Sequence, residues 1–302
     1  MLHNSKEVWT HSLHIYFDSS IYKTPSNQPP RETDRNTIQV RVGKHKNAYT
    51  LEKDVLYRNA PFLKGACEHY SRGLEYSAIN FPQTNDVVFK LFKAWLYKLD
   101  LGDADQEIAQ WKARRVKTGE KEKKIDEGPL IDLETSKGKE NTKNISESQK
   151  TENLQMANGD LNTTSNVALT NFCYPHMANL LDLYLFADMA KLSLLKNQCI
   201  AKYYRFTKAT GYIMTPWLSY MWKHTRKEML MRKFLLDLLT WEMPPLLFET
   251  NSNDFPEELR IELLVNMGYV IQVARHGTTA LEKCNPLNDL DNYYEEVEKL
   301  DT

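Results

Sequence analysis

Residues 84–99 read Thr-Asn-Asp-Val-Val-Phe-Lys-Leu-Phe-Lys-Ala-Trp-Leu-Tyr-Lys-Leu, and this stretch decides the fold. Its apolar residues recur at steps of three and four, which predicts one broad apolar face on an amphipathic helix. Thr84 or Asn85 is the predicted N-cap. Such a face is stable only when it packs on other elements, so we predict that Phe92 and Trp95 lie in the core.

The residues upstream of this helix predict a β-hairpin. Ile38, Val40 and Val42 alternate with polar residues, which is the period of a half-buried strand. Residues 43–47 are a turn cluster, and residues 48–51 suit the second strand.

Two short helices and a third strand are predicted to follow the hairpin. Residues 52–59 have helical periodicity, and Ala60-Pro61 opens another helix, with the proline where its missing N–H costs least. We expect this second helix to bury Phe62. Residues 76–81 are a candidate strand, so this half of the chain mixes strands and helices.

The second half of the chain is predicted to be a succession of helices. The first of them places Leu180 and Tyr184 on one apolar face, and both are predicted core residues. Two prolines at 244–245 should end a later helix. A last helix begins near Pro256, and we expect residues 276–302 to form a loose, mildly acidic tail.

A long polar insertion separates the two halves. The 60 residues between Trp111 and Phe172 contain no Phe, Trp or Tyr, although aromatic residues make up 11% of the chain. Residues 112–152 carry 11 basic and 9 acidic side chains. Such a segment buries too little apolar surface to offset its ordering entropy. We therefore predict a disordered charged linker over 103–171, and a flexible lead over 1–35.

Composition restricts the classes of partner. The net charge of −1 argues against a broad basic footprint for nucleic acid or an anionic membrane. The four cysteines form no CxxC pair, which argues against a disulfide scaffold or a zinc module. The chain shows neither a signal-peptide core nor a stretch apolar enough to span a bilayer. We therefore expect an intracellular protein, cytoplasmic, nuclear or both, with no membrane and no directly bound nucleic acid.

Sequence motifs of enzymes are absent from the chain. There is no GxSxG, no GxxxxGK[ST], no GxGxxG and no HExxH. Cys173 and His176 lie three residues apart, but no second ligand pair follows, so an incidental pairing is favoured over a metal site. We predict no catalytic residues, no cofactor and no metal.

Two short motifs have a structural and a functional interpretation. The run 112–124 is basic but interrupted by Glu120 and Glu122, which favours a solvated linker and leaves a nuclear import signal open. Residues 235–239, Leu-Leu-Asp-Leu-Leu, match an LxxLL docking box by letter, but a core-facing helix stripe explains them better.

Four motifs occur in a fixed order and together resemble a known family. They are Ile38-Gln-Val-Arg-Val-Gly43, then Tyr49-Thr-Leu-Glu-Lys-Asp-Val-Leu56 with Ala60-Pro61-Phe62-Leu63, then Asp86-Val-Val-Phe89 with Phe92 and Trp95-Leu96-Tyr97, and lastly Leu180 to Asp188 with Leu192 and Leu195. The series resembles a BTB/POZ domain, closest to the fungal branch of the family. The resemblance implies an α+β fold, a small sheet with a helical cluster, continued by an all-helical C-terminal extension.

The resemblance also implies a division of the chain and a function. The predicted units are a lead at 1–35, the first BTB/POZ part at 36–102, the linker at 103–171, the completing helices at 172–210, the helical extension at 211–275 and the tail at 276–302. The implied function is a non-enzymatic adaptor or scaffold that binds protein partners or itself, with a cullin-type ubiquitin ligase as one candidate assembly.

An alternative function and two departures from the family pattern stay open. The alternative is a nuclear transcriptional co-factor that combines a BTB interaction domain with the basic segment. Glu52 stands where the family usually has His, and Ala60 where it has Ser. These two residues put the family's usual dimer contacts in doubt.

Overall fold

The computed structural model describes residues 16–18, 36–70, 78–117, 163–276 and 280–297. The protein is α+β, mostly helical with one small sheet. The strands are β1 (Tyr16–Asp18), β2 (Thr37–Val42), β3 (Asn47–Glu52) and β4 (Ala78–Phe81). The helices are α1 (Lys53–Asn59), α2 (Pro61–Tyr70), α3 (Asp86–Lys98), α4 (Ala104–Lys117), α5 (Thr163–Met189), α6 (Ser193–Thr210), α7 (Leu218–His224), α8 (Leu230–Glu242), α9 (Pro245–Thr250) and α10 (Glu257–His276).

The sheet has the strand order β1-β4-β2-β3. Strands β2 and β3 form the antiparallel hairpin that the sequence predicts, with Val40 opposite Tyr49. On its other side, Val40 pairs with Ile79 of β4, which runs parallel to β2. Gly43 begins the hairpin turn at a φ of 71°, a left-handed conformation that favours glycine. Strand β1, which lies within the predicted lead, pairs antiparallel with β4.

Helix α3 packs against both the sheet and α5 and so brings the two halves of the chain together. The Phe92 ring lies 4.7 Å from the Phe186 ring, and the Phe186 ring lies 5.2 Å from that of Phe81. The Asn85 side chain caps α3 by accepting a hydrogen bond from the backbone N–H of Val87.

The predicted disordered linker is wrong at both of its ends. Helix α4 occupies 104–117, and α5 already begins at Thr163. Ala104 and Ile108 of α4 are buried, and Trp111 stacks on Phe172 at a ring distance of 5.2 Å. An apolar stripe of only three residues was enough to order α4, because α6 offers it a packing surface. The remaining part of the predicted linker, 118–162, lies outside the described residues.

The predicted loose tail is wrong over residues 280–297. Leu287 and Tyr293 are buried, and two short 3-10 turns, Pro286–Asn288 and Leu290–Tyr293, carry them. The Asn197 side chain binds the backbone of Glu295 twice, donating to its carbonyl and accepting from its N–H, both at 2.8 Å. Lys196 forms an ion pair with the Glu295 carboxylate. Two buried side chains and these polar contacts therefore hold in place a segment that its acidic composition predicted to be loose.

The predicted core residues fall into two groups. Phe92, Trp95, Leu180 and Tyr184 are buried. Phe62 is 43% exposed, so its assignment to the core is wrong. Helix α2 is short and contacts the body mainly through α1, and the buried positions at its start are Ala60 and Leu63. The neighbouring position 62 consequently points to the outside.

Candidate functional site

The last long helix, α10, carries polar groups on the side that faces the protein. Leu259 and Leu263 are buried there, together with part of Glu262 and Asn266. Asn266 donates to Oδ1 of Asp237 at 3.0 Å and to the Thr240 hydroxyl at 2.9 Å. The inner face of α10 is thus held by hydrogen bonds as much as by apolar contact.

Arg232 of α8 is the centre of the polar contacts to α10. Its side chain is 4% exposed, and its Nη2 lies 2.8 Å from Oε1 of Glu262 and 2.9 Å from Oε1 of Glu258. Its Nη1 donates to the Thr225 carbonyl at 3.2 Å. The guanidinium also lies 4.9 Å from the centre of the Trp222 ring, and the Trp222 indole N–H donates to Glu262 at 3.0 Å. The charge is buried but fully surrounded by acceptors and a π face.

The outer side of α10 is mainly apolar. Ile261 is 59% exposed, Leu264 73% and Tyr269 63%, and Val265 and Ile271 are also more than half exposed. At 100° per residue these side chains and Gly268 occupy the half of the helix opposite Leu259 and Leu263. We call this set, Ile261, Leu264, Val265, Gly268, Tyr269 and Ile271, the outer α10 face.

Helix α10 therefore carries apolar residues on both its inner and its outer side, which is unusual for a surface helix. A helix on a soluble protein normally turns its apolar stripe inward and its polar residues outward. Single exposed apolar residues are ordinary, but a contiguous row of them marks a binding surface or an aggregation hazard. The outer α10 face is the candidate interaction surface of this protein.

Charged residues stand at the two ends of the outer α10 face. Glu257 lies in the first turn of the helix and Arg275 in the last, and both are exposed. They are 18 residues apart, which is five full turns, so they project from the same side of the helix. Each charge is also of the sign that its end of the helix dipole favours.

Sequence reasoning missed this surface. The periodic stripe that was visible in the sequence, beginning at Leu259, is the inner one. A second stripe at Ile261, Leu264 and Gly268 runs beside it, and together they make α10 apolar almost all round. That all-round pattern was the available signal, but it is also typical of a fully buried helix.

A cleft of about 360 Å³ lies between α3, α4, α5 and α6. Its lining is mainly apolar and includes Trp111, Phe172 and Phe206. Its polar groups are Gln110, His176 and an ion pair in which Nζ of Lys202 lies 2.6 Å from Oε1 of Glu107. The carboxylate of Glu107 thus balances the charge of Lys202, and the Lys202–Glu107 contact joins α4 to α6.

The Cys173–His176 pair and the leucines of the LxxLL motif are packed within the fold. Cys173 is buried, and this burial raises the pKa of its thiol to about 11. Burial also lowers the pKa of His176, whose ring lies 4.7 Å from that of Phe172. Within the described ranges no group of three or more His, Cys, Asp or Glu side chains could hold a metal ion. Leu235, Leu238 and Leu239 are buried, so the LxxLL letters face the core.

Asp182 of α5 carries a partly buried carboxyl group. Burial raises the pKa of Asp182 to about 6, against a hydrogen bond from the Tyr220 hydroxyl that lowers it. The Tyr220 ring in turn lies 4.4 Å from the His224 ring. This group links α5 to α7.

The last observations concern membrane spans in the described residues and similarity to known proteins. Of the helices in the described part of the chain, none is long and apolar enough to cross a membrane. A scan against models of protein families, a search of curated proteins and a search of solved structures found no match to this chain.

Proposed function

We propose that this protein is a non-enzymatic interaction adaptor or scaffold, and that the outer α10 face is its main contact surface. The observation that carries the proposal is the exposed second apolar side of α10. Its inner side is fixed by the buried Arg232 network, so the helix cannot rotate to hide Ile261, Leu264 and Tyr269 without breaking that network.

Covering the outer α10 face with a partner is favourable in free energy. Burying apolar surface is worth about 25 cal/mol per Å², and the five large side chains of the outer α10 face leave most of theirs in water. A partner that covers them gains this free energy. Because α10 is already folded and anchored, little ordering entropy opposes the binding.

The test compares partner recovery by three forms of the tagged full chain. Leu264→Glu places a charge in the middle of the outer α10 face, and Val87→Glu is the matched control, an exposed valine in the first turn of α3. We expect quantitative capture to recover the same partners with wild type and Val87→Glu, and to lose them with Leu264→Glu. Equal recovery by all three forms would contradict the assignment of this surface.

The finer proposal is a BTB/POZ adaptor that serves a cullin-type ubiquitin ligase. It is supported by the resemblance, whose motifs lie in β2, β3, α3 and α5 in chain order. The experiment is a direct titration of the purified chain with the N-terminal domain of a cullin scaffold. Binding at tens of micromolar or tighter is expected, and no binding at that concentration would remove the ligase role while leaving the adaptor.

The second candidate function is a nuclear transcriptional co-factor. It is favoured by the basic run at 112–124, whose first residue, Lys112, is exposed on α4. Replacing Arg114, Arg115, Lys123 and Lys124 with Ala should then shift the protein out of the nucleus. Unchanged localisation of this variant would exclude the role of the basic run.

A further inference from the structure

We infer that the outer α10 face binds α10 of a second copy of this chain in antiparallel orientation. The inference deepens the proposed function, because it names an occupant for the same surface, and it rests on that surface being an interaction site. It follows from the positions of one glycine, three apolar residues and two charges along α10.

The pattern of α10 is self-complementary when two copies run in opposite directions. With the two-fold axis beside position 266, Leu264 of each copy stands opposite Gly268 of the other. Ile261 then stands opposite Ile271 of the second copy. A two-fold interface requires such reciprocal matching, since the same surface must serve both partners.

Gly268 provides the space that the Leu264 side chain needs. A Cβ atom at Gly268 would have no atom within 4 Å apart from its chain neighbours and the backbone of its own helix, so the surface above this residue is open. Small residues let helices approach closely, and packed helix axes lie about 8–10 Å apart. Leu264 is the most exposed of these apolar residues, and it fits as the knob that enters this hole.

The charges at the helix ends select the antiparallel direction. About position 266, Glu257 of one copy meets Arg275 of the other, and the contact occurs twice. A parallel pair would place Glu257 against Glu257 and Arg275 against Arg275. Antiparallel helix dipoles add to the same preference, because each positive end lies beside a negative one.

The remaining apolar residues widen the same contact. In a two-fold antiparallel pair, equivalent residues of both copies lie on the same flank. Val265 and Tyr269 of both helices therefore form one apolar rim. The helix is 20 residues long, about 30 Å, which gives an interface at the small end of the range for specific complexes. We accordingly expect self-association in the micromolar range.

The experiment is a charge exchange followed by sedimentation equilibrium of the full chain at low salt. Glu257→Arg and Arg275→Glu should each raise the dimer Kd about 5- to 10-fold, because each change makes both end contacts repulsive. The double variant should return the Kd to within about twofold of wild type. An equimolar mixture of the two single variants should form heterodimers at least as readily as wild type forms homodimers.

Two further variants control for folding and for position. Leu264→Glu should raise the Kd at least about tenfold with an unchanged melting temperature, since Leu264 is mostly exposed in one copy. Val87→Glu should change neither quantity. A double charge variant that fails to restore association would overturn the antiparallel pairing.

The outcomes separate this inference from the proposed function. A chain that is monomeric at about 200 µM, a concentration at which micromolar self-association would be nearly complete, overturns the self-pairing. If Leu264→Glu nevertheless loses its captured partners, the outer α10 face serves a different protein and the adaptor function stands. If the wild-type dimer forms but capture is unaffected by Leu264→Glu, the self-pairing stands and the adaptor surface lies elsewhere.

Discussion

Arg232 and Glu262 are 30 residues apart in the chain, and Nη2 of the first lies 2.8 Å from Oε1 of the second. This contact joins α8 to α10 through a guanidinium that is almost completely buried. It fixes which side of α10 faces the protein, and by doing so it leaves the second apolar side, with Leu264 and Tyr269, in solvent. A buried ion pair has thus set the orientation of a helix whose apolar pattern alone leaves it ambiguous.

Removing Arg232 should greatly lower the stability of the protein. Arg232→Ala leaves the partly buried Glu262 with only the exposed Lys227, at 3.5 Å, as its cation, and the expected loss in the free energy of unfolding is about 3 kcal/mol. Arg205→Ala is the control, because its pair with Asp105 at 2.8 Å is exposed on both sides and should contribute less than about 1 kcal/mol. Urea denaturation measures both, and equal losses would show that the buried network is not what anchors α10.

Gly268 should respond to alanine in the opposite way from Gly211. Both residues have open space where a Cβ would be, but Gly211 has a left-handed φ of 66° and Gly268 has no such conformation. Gly268→Ala should therefore stabilise the helix by about 1 kcal/mol, and Gly211→Ala should destabilise by a similar amount. Thermal unfolding in dilute solution distinguishes the two signs. Destabilisation by Gly268→Ala would mean that this position is not an open helix surface.

Two phenylalanines should differ widely in their contribution to stability. Phe92 is fully buried among aromatic rings, and Phe92→Ala should cost about 3–5 kcal/mol through lost contacts and the cavity left behind. Phe62 lies at the surface, and Phe62→Ala should cost about 1 kcal/mol or less. A comparison of urea midpoints tests this difference. A large loss of stability for Phe62→Ala would show that Phe62 is a core residue.

The C-terminal segment should be required for full stability. The Tyr293 hydroxyl donates to Oδ2 of Asp237 at 2.9 Å, and its ring lies 5.4 Å from that of Phe234. Tyr293→Ala should cost about 3–5 kcal/mol, whereas the neighbouring exposed change Asn292→Ala should cost less than about 1 kcal/mol. Melting temperatures of the two variants give the readout. No effect of Tyr293→Ala would support a loose tail.

The stability of the protein should depend on the ionisation of Asp182. Its pKa of about 6 in the folded protein is above the ordinary aspartate value of 3.8, so the folded state binds this proton more tightly than the unfolded state does. The resulting stabilisation is present below about pH 4 and is lost as the pH rises through 6. Asp182→Asn should therefore be more stable than wild type by about 1–2 kcal/mol at pH 7.5, and similar to it at pH 4. A difference independent of pH would contradict this origin.

Local patterns were sufficient where one apolar stripe had one available packing surface. The alternation at Ile38, Val40 and Val42 predicted β2, and the stripe through Phe92 and Trp95 predicted the buried face of α3. They failed where burial depended on distant partners. Nothing near Ile108 in the sequence indicates α6, and nothing near Tyr293 indicates α8.

The sequence by itself determined the α+β class, the hairpin and the succession of apolar-striped helices, because the periods of strands and helices are written in consecutive residues. Only the tertiary structure decided which side of α10 is exposed. That choice depends on Arg232, which is distant in sequence and adjacent in space, and which binds Glu258 and Glu262 on one side of the helix. A charge that leaves water needs its counter-charge at contact distance, and this requirement outweighed the preference of Leu264 and Tyr269 for the interior.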